Sequence, residues 1–220
     1  MMMAPKMAMM SSPICRQDHF SKSGASYMLL TKYKAIHIHI TKCAGASIER
    51  AFKKRLFQHF TKQDFVLRYG LDTWDSYFKF AFVRNPWDRF VSLYFYMVSK
   101  PEQFKDKTRG MNFKQYLSTL LNNPNKGDDI LNSWQHAWIY DSKGLMVDFV
   151  GRFENLHEDF AKVCKAIGAE SITLGHHNKT NHAHYSHYYD DELIDTVRKG
   201  AATDIKLFRY EFEDKRDCAM

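Results

Sequence analysis

At 220 residues, 45% of them hydrophobic and 26% charged, the chain is long enough for one domain with a proper core and too apolar for an intrinsically disordered protein. The net charge of +7 suits an anionic ligand. Yet the basic residues are spread along the chain and form no zinc-finger, RNP or basic-zipper pattern, so nucleic acid is not expected as a partner.

No apolar run approaches the length of a membrane span. The four cysteines, Cys15, Cys43, Cys164 and Cys218, include no CxxC pair and read as free thiols in a reducing compartment. Residues 1–30 are Met- and Ser-rich without a period and read as a flexible arm. They contain no continuous apolar stretch of the kind a signal peptide carries. Residues 31–215 read as a single domain.

The first regular element begins at Ala35. Ile36, Ile38 and Ile40 alternate with His37 and His39, the period of a strand. Thr41, Lys42, Cys43, Ala44, Gly45, Ala46 and Ser47 then form a tight loop of small residues around one lysine. Ile48, Ala51, Phe52, Leu56 and Phe60 recur at helical spacing, which predicts a helix ending near Phe60 with Ser47 as its cap. A strand–loop–helix of this kind is an anion site. The first amides of the helix have no intrahelical partner, Gly45 lets a phosphate come close to the backbone, and Lys42 adds a full charge. It is not a Walker A loop, because Lys42 precedes the only glycine. The competing reading is an ordinary turn carrying a surface lysine.

Leu71–Tyr77 reads as a turn into a second strand, in which Phe78, Phe80 and Phe82 alternate up to Val83. Arg84 ends it. Pro86 suits the first turn of a helix, with Asn85 as its cap, and Phe90, Val91, Leu93, Tyr94, Met97 and Val98 make its apolar stripe. Ser92 lies two turns in, so Arg84 and Ser92 can grip one phosphate between them. Ser99–Gly110 reads as a polar loop suited to selecting a ligand. Phe113–Leu121 is a short helix and Asn122–Asp129 a loop. Ile130, Trp134, Ala137 and Trp138 mark another helix, with Gln135 and His136 on it. Met146–Phe153 is a third strand ending at Arg152, which either reaches a ligand or pairs with Glu154 or Asp159. Leu156–Ile167 is an amphipathic helix closed by Gly168. His176, His177, His182, His184 and His187 cluster next, but their spacing fits no common zinc pattern, so no metal is expected. Asp190–Phe208 reads as one last helix. The alternation predicts an α/β fold, a mainly parallel central sheet flanked by helices, with ligand at the carboxyl ends of the strands.

Both loop motifs resemble the donor-binding motifs of sulfotransferases that use 3′-phosphoadenosine 5′-phosphosulfate (PAPS), and among these the carbohydrate-sulfotransferase group with its compact relatives. TKCAGAS, Thr41–Ser47, is similar to a motif of the form PKTAGTS or PKCAGTS. FVRNPWDRFVSLY, Phe82–Tyr94, follows the form FVRNPWDRxxSxY throughout. VDFVGRFENLHEDF (Val147–Phe160), NKTNHAHYSHYY (Asn178–Tyr189) and DIKLFRYEF (Asp204–Phe212) extend the resemblance over roughly residues 33–212. It implies a P-loop-like sulfotransferase fold and transfer of a sulfuryl group from PAPS to a hydroxyl, or an amine, of a carbohydrate or small metabolite. It implies cofactor contacts from Lys42, Cys43, Ala44, Gly45, Ala46, Ser47, Arg84, Ser92, Arg152 and Lys179, and catalytic roles for Lys42 and His59. His59 and Thr61 resemble an HxT element of compact members, and a histidine is the side chain best suited to take the acceptor's proton near neutral pH. Asp64, Asp72 and Glu49 are substitutes for it. Relatives of the Golgi carry a membrane anchor that this chain lacks, which places it in the cytoplasm. Two departures stand out. Thr41 replaces a proline, which should loosen the loop entry, and Ala46 replaces a threonine, which removes a hydroxyl from the phosphate site. Two other functions compete: a nucleotide kinase, and a non-catalytic relative that binds PAPS or nucleic acid.

Overall fold

The computed structural model describes residues 26–54, 62–108, 110–122, 134–175 and 183–217. Strands β1 (Ser26–Leu30), β2 (Ala35–His39) and β3 (Phe78–Val83) form one sheet with β6 (Phe149–Arg152), in the order β1-β2-β3-β6; the short β4 (Tyr140–Asp141) and β5 (Gly144–Leu145) pair only with each other. β2, β3 and β6 run parallel, with Phe80 opposite both His37 and Phe149. β1 is antiparallel to β2 and sets Tyr27 opposite Ile38. The chain thus has the mixed α/β architecture and largely parallel sheet that its alternating pattern predicts.

The helices are α1 (Gly45–Ala51), α2 (Lys62–Tyr69), α3 (Leu71–Ser76), α4 (Pro86–Val98), α5 (Pro101–Thr108), α6 (Phe113–Asn122), α7 (His136–Ile139), α8 (Leu156–Ala166), α9 (Asp191–Gly200) and α10 (Ala202–Phe208). Two apolar clusters hold them. One joins the sheet to α8 and α10 through Ile36, Ile38, Phe80, Phe82, Phe160 and Phe208. The other lies among α4, α6 and α9 and includes Trp87, Phe90, Leu117 and Val197.

Several elements differ from the sequence-based expectations, each for a local reason. The arm expected over residues 1–30 gives way at Ser26 to β1, because β2 offers an unpaired edge. The helix expected to reach Phe60 stops at Ala51: Lys53 adopts a left-handed conformation and the Lys54 amide donates back to the Glu49 carbonyl. Leu71–Ser76 is a helical turn rather than a loop, and Pro101–Thr108 is helical where a polar loop was expected. The final helix breaks at Ala201, beside Gly200, into α9 and α10. The third strand is the shorter Phe149–Arg152.

The alternation in β2 does not separate a wet face from a dry one. His37 is 1% exposed and stacks on Phe80 with ring centroids 4.9 Å apart. Burial, with the neighbouring His39, holds the His37 imidazole well below its ordinary pKa, so it packs as a neutral aromatic ring. Parallel sheets are covered on both faces, and here histidine serves where an aliphatic residue would do.

Candidate active site

The loop between β2 and α1 is wound tightly. Lys42 and Ala44 both have positive φ, at 64° and 67°. This alternation of left- and right-handed residues turns successive amides toward one point, forming a nest for an anion. Among the described residues, the amides of Ala44, Gly45 and Ala46 donate to no acceptor. The Ser47 amide does not join them, since it is spent on the Ala44 carbonyl at 2.9 Å. Ser47 does not cap α1 either; the cap is Ala44, without a side-chain bond.

Gly45 has a packing role beside the one read in the sequence. A Cβ there would lie 2.0 Å from Cδ2 of His39 and 2.4 Å from its Cγ. The missing side chain makes room for the His39 ring, whose Nδ1 sits 2.6 Å from Glu49 Oε1 as a close contact rather than an aligned hydrogen bond. Gly45→Ala must therefore rotate the ring out, an overpacking cost of about 1–3 kcal/mol. We expect a lower urea midpoint for Gly45→Ala and recovery when His39→Ala is added. No recovery in the double variant would mean that the glycine serves the backbone and not the ring.

The second motif is built as expected. Pro86 occupies the first turn of α4, and the Asn85 side chain accepts from the Trp87 amide at 3.1 Å. Arg84, at the carboxyl end of β3, is nearly buried. Its Nε donates to Asp88 Oδ2 at 2.7 Å, its Nη1 to the Lys42 carbonyl at 3.2 Å, and its plane lies over Phe153 with Cζ 3.9 Å from the ring centre. Arg84 thus ties the two motifs together across the strand ends. It keeps N–H groups to spare, since a guanidinium carries five. Ser92 lies on the same helix but is 2% exposed.

Arg89, also of the second motif and 2% exposed, holds the loop entry. Its Nε donates to the Thr41 carbonyl at 3.0 Å and its Nη2 to the Thr41 hydroxyl at 2.8 Å. This corrects the expectation that Thr41 loosens the loop. Where proline would stiffen the backbone, threonine offers two acceptors to one guanidinium fork. Ala46 is exposed, so the absent hydroxyl removes a group from the outer face of the loop only.

Gln135 is fully buried. Its Oε1 accepts from the Arg84 amide at 2.8 Å, its Nε2 donates to the Arg84 carbonyl at 2.8 Å, and the Cys43 thiol donates to the same Oε1 at 3.3 Å. The side chain acts as one more rung beyond the end of β3. Burial pushes the Cys43 thiol up to about 12, so it stays protonated and serves as a donor, not a nucleophile. Behind it, the buried Asp204 accepts from the Gln135 amide at 2.8 Å, the His136 amide at 2.9 Å and His136 Nδ1 at 2.6 Å. The buried roles of Gln135 and Asp204 were not legible in the sequence, because polar residues on predicted helices read as surface.

Lys42 is the half-buried cation of the loop. Its Nζ lies over the Tyr96 ring, 4.2 Å from the centre. Burial first, then the charges of Arg84, Lys100 and Arg89, pull its pKa down to about 8.

Arg152 does not reach this site. Its guanidinium donates to the Phe208 carbonyl at the end of α10 and lies over Tyr210, 4.5 Å from Cζ to the ring centre. It pairs with neither Glu154 nor Asp159. Glu154 accepts instead from the Asn85 amide at 2.7 Å and the Tyr210 hydroxyl at 3.0 Å, while Asp159 takes the Arg152 amide at 2.8 Å. His59, Lys179, His176, His177 and His182 lie outside the described residues. His184 accepts from the Ser186 amide and contacts Glu213. Among the described residues no group of histidine, cysteine or acidic side chains could hold a metal ion, and no helix is long and apolar enough to cross a membrane.

The chain that carries this loop of free amides matches a known family in sequence. Residues 25–211 match the sequence model of the sulfotransferase family. The chain belongs to the sulfotransferase family. The chain is 38% identical over 101 residues, 46% of its own length and 76% of the other's, to an uncharacterized protein of Archaeoglobus fulgidus. No solved structure matches it.

Proposed function

We propose that the protein transfers the sulfuryl group of PAPS to a hydroxyl of a carbohydrate or small-metabolite acceptor in the cytoplasm, using one P-loop-like sulfotransferase domain spanning residues 31–215. The observation that carries this reading is the Arg84–Lys42 contact, which merges the two motifs into one cationic site beside three undonated amides. That donor set fits a phosphosulfate. Among the described residues neither Lys42 nor its amide neighbours are neutralised by a carboxylate.

PAPS, when bound, supplies a sulfuryl group attached to a phosphate leaving group. The Ala44–Ala46 amides hold the 5′-phosphosulfate, and Arg84 with Ser92 takes the 3′-phosphate. The acceptor oxygen attacks sulfur in line, the bridging S–O bond breaks, and its electron pair goes to the phosphate oxygen, where Lys42 offsets the growing charge. His59 accepts the acceptor's proton. A nucleotide kinase has less support, since family membership points to sulfuryl rather than phosphoryl transfer.

Calorimetric titration tests the donor site. Adenosine 3′,5′-bisphosphate is expected to bind in the micromolar range, AMP and ATP much more weakly, and Arg84→Ala to lose at least about tenfold in affinity while remaining folded. ATP binding equal to or tighter than the bisphosphate would overturn the PAPS assignment.

A further inference from the structure

One side chain touches both donor motifs. The last pairing of β3 with β2 joins Ala81 to Ile38, and its last with β6 joins Val83 to Arg152, so the Arg84 backbone lies past both ladders. Gln135 meets it there with two bonds of 2.8 Å, accepting from the Arg84 amide and donating to the Arg84 carbonyl. The same Oε1 receives the Cys43 thiol at 3.3 Å, one residue after Lys42 in the donor loop. Gln135 is itself held from behind. Asp204 of α10, 1% exposed, accepts from the Gln135 and His136 amides and from His136 Nδ1.

Closing the end of β3 needs only the two backbone bonds. The bond to Cys43 adds something else, a fixed separation between the Arg84 end of one motif and the Lys42 end of the other. The Arg84 guanidinium spans the same gap through its bond to the Lys42 carbonyl at 3.2 Å. A buried polar network whose members are satisfied is rigid, so the two links together hold the gap at one width. Resting on the reading that the Lys42 loop takes the 5′-phosphosulfate and Arg84 the 3′-phosphate, that width is what a nucleotide with a phosphate on each side of its ribose measures. We propose that Gln135 is a positioning residue of the donor site, and that by setting the separation of the two motifs it gives the site its preference for a nucleotide phosphorylated at both the 3′ and the 5′ position. It acts through the Arg84 backbone and the Cys43 thiol.

Calorimetric titration of the full-length protein with adenosine 3′,5′-bisphosphate and with AMP reads that preference as the ratio of the two affinities. Gln135→Leu removes both Arg84 bonds and should lower the ratio about three- to tenfold. Hydrogen exchange at the Arg84 amide, followed without nucleotide, should quicken in the same variant. Gln135→Glu separates positioning from packing. A protonated carboxyl accepts and donates in the pattern of the amide, whereas an ionised one only accepts and is set against the Arg84 carbonyl. Burial, Asp204 and Glu154 favour the protonated form there, and Arg84, Arg89 and a charged His136 the ionised one. Relative to the wild type at the same pH, a comparison that removes the protonation of the nucleotide and of Lys42, the Gln135→Glu ratio should match at about pH 6 and fall toward the Gln135→Leu value at about pH 9. Gln135→Glu carries the test alone if Gln135→Leu fails to fold. A wild-type ratio in folded Gln135→Leu, or a Gln135→Glu ratio that keeps a constant relation to the wild type across this range, would overturn the positioning role. A wild-type protein without preference for the bisphosphate would instead overturn the donor reading.

Discussion

Lys42→Ala is expected to lower sulfuryl transfer by about 10²–10³-fold, the effect of deleting one preorganised group at the place where charge develops. The loss falls mainly on kcat, because the charge on the leaving phosphate oxygen grows only as the S–O bond breaks. Folding should not suffer. Lys42 is half-buried among Arg84, Arg89 and Lys100, and removing a cation from that company relieves repulsion, so the melting temperature stays level or rises. Alanine is the informative replacement, since glycine would also release the positive φ at this position.

The same residue sets a pH dependence. Lys42 must be charged to act, and its pKa lies near 8 rather than the ordinary 10.5. Between these values, binding of an anionic nucleotide draws a proton onto Lys42. Calorimetry near pH 8.5 in buffers of different ionisation enthalpy should show proton uptake that Lys42→Ala abolishes. Stability without ligand runs in the opposite sense. From pH 8 to 10.5 the unfolded chain keeps the lysine proton that the folded chain releases, so this group makes the fold gain stability as pH rises through that window. A wild-type protein with no linked proton would show that Lys42 does not meet the anion.

Arg89→Met is expected to destabilise the protein strongly. The guanidinium is 2% exposed and serves both acceptors of Thr41. Its loss takes the charged donor away from a buried carbonyl, which also receives the Cys43 thiol at 3.5 Å, and from a buried hydroxyl, at about 1–3 kcal/mol for each group. A total of about 3 kcal/mol would lower the melting temperature of a 220-residue chain by about 6–12 °C. Thr41→Val removes only the hydroxyl, keeps the carbonyl bond and should cost about 1 kcal/mol. Nucleotide affinity should follow the same order, because the loop is wound from Thr41 onward. Combining the two changes should cost less than their sum, as expected of residues in contact. Full additivity, or an Arg89→Met protein that melts with the wild type, would show that the fork does not hold the loop.

Residue patterns within short windows determined much about this protein. The two parallel strands, the capped start of α4 at Asn85-Pro86, α8, and the positions of Lys42 and Arg84 at strand ends follow from alternation, turn chemistry and helical stripes. These are local forces that act within a few residues. The paired motifs also carried the family. Tertiary structure decided what local spacing does not encode. β1 exists because β2 leaves an edge to pair. Gly45 is needed because the His39 ring packs against it. Arg89 reaches Thr41 from 48 residues away, Gln135 reaches the end of β3 across 51, and Arg152 turns to Phe208 across 56, away from the site where its strand-end position pointed. The last three are polar side chains whose partners lie in distant elements. Each residue type was visible in the chain, but its partner was set by which elements the apolar clusters bring together.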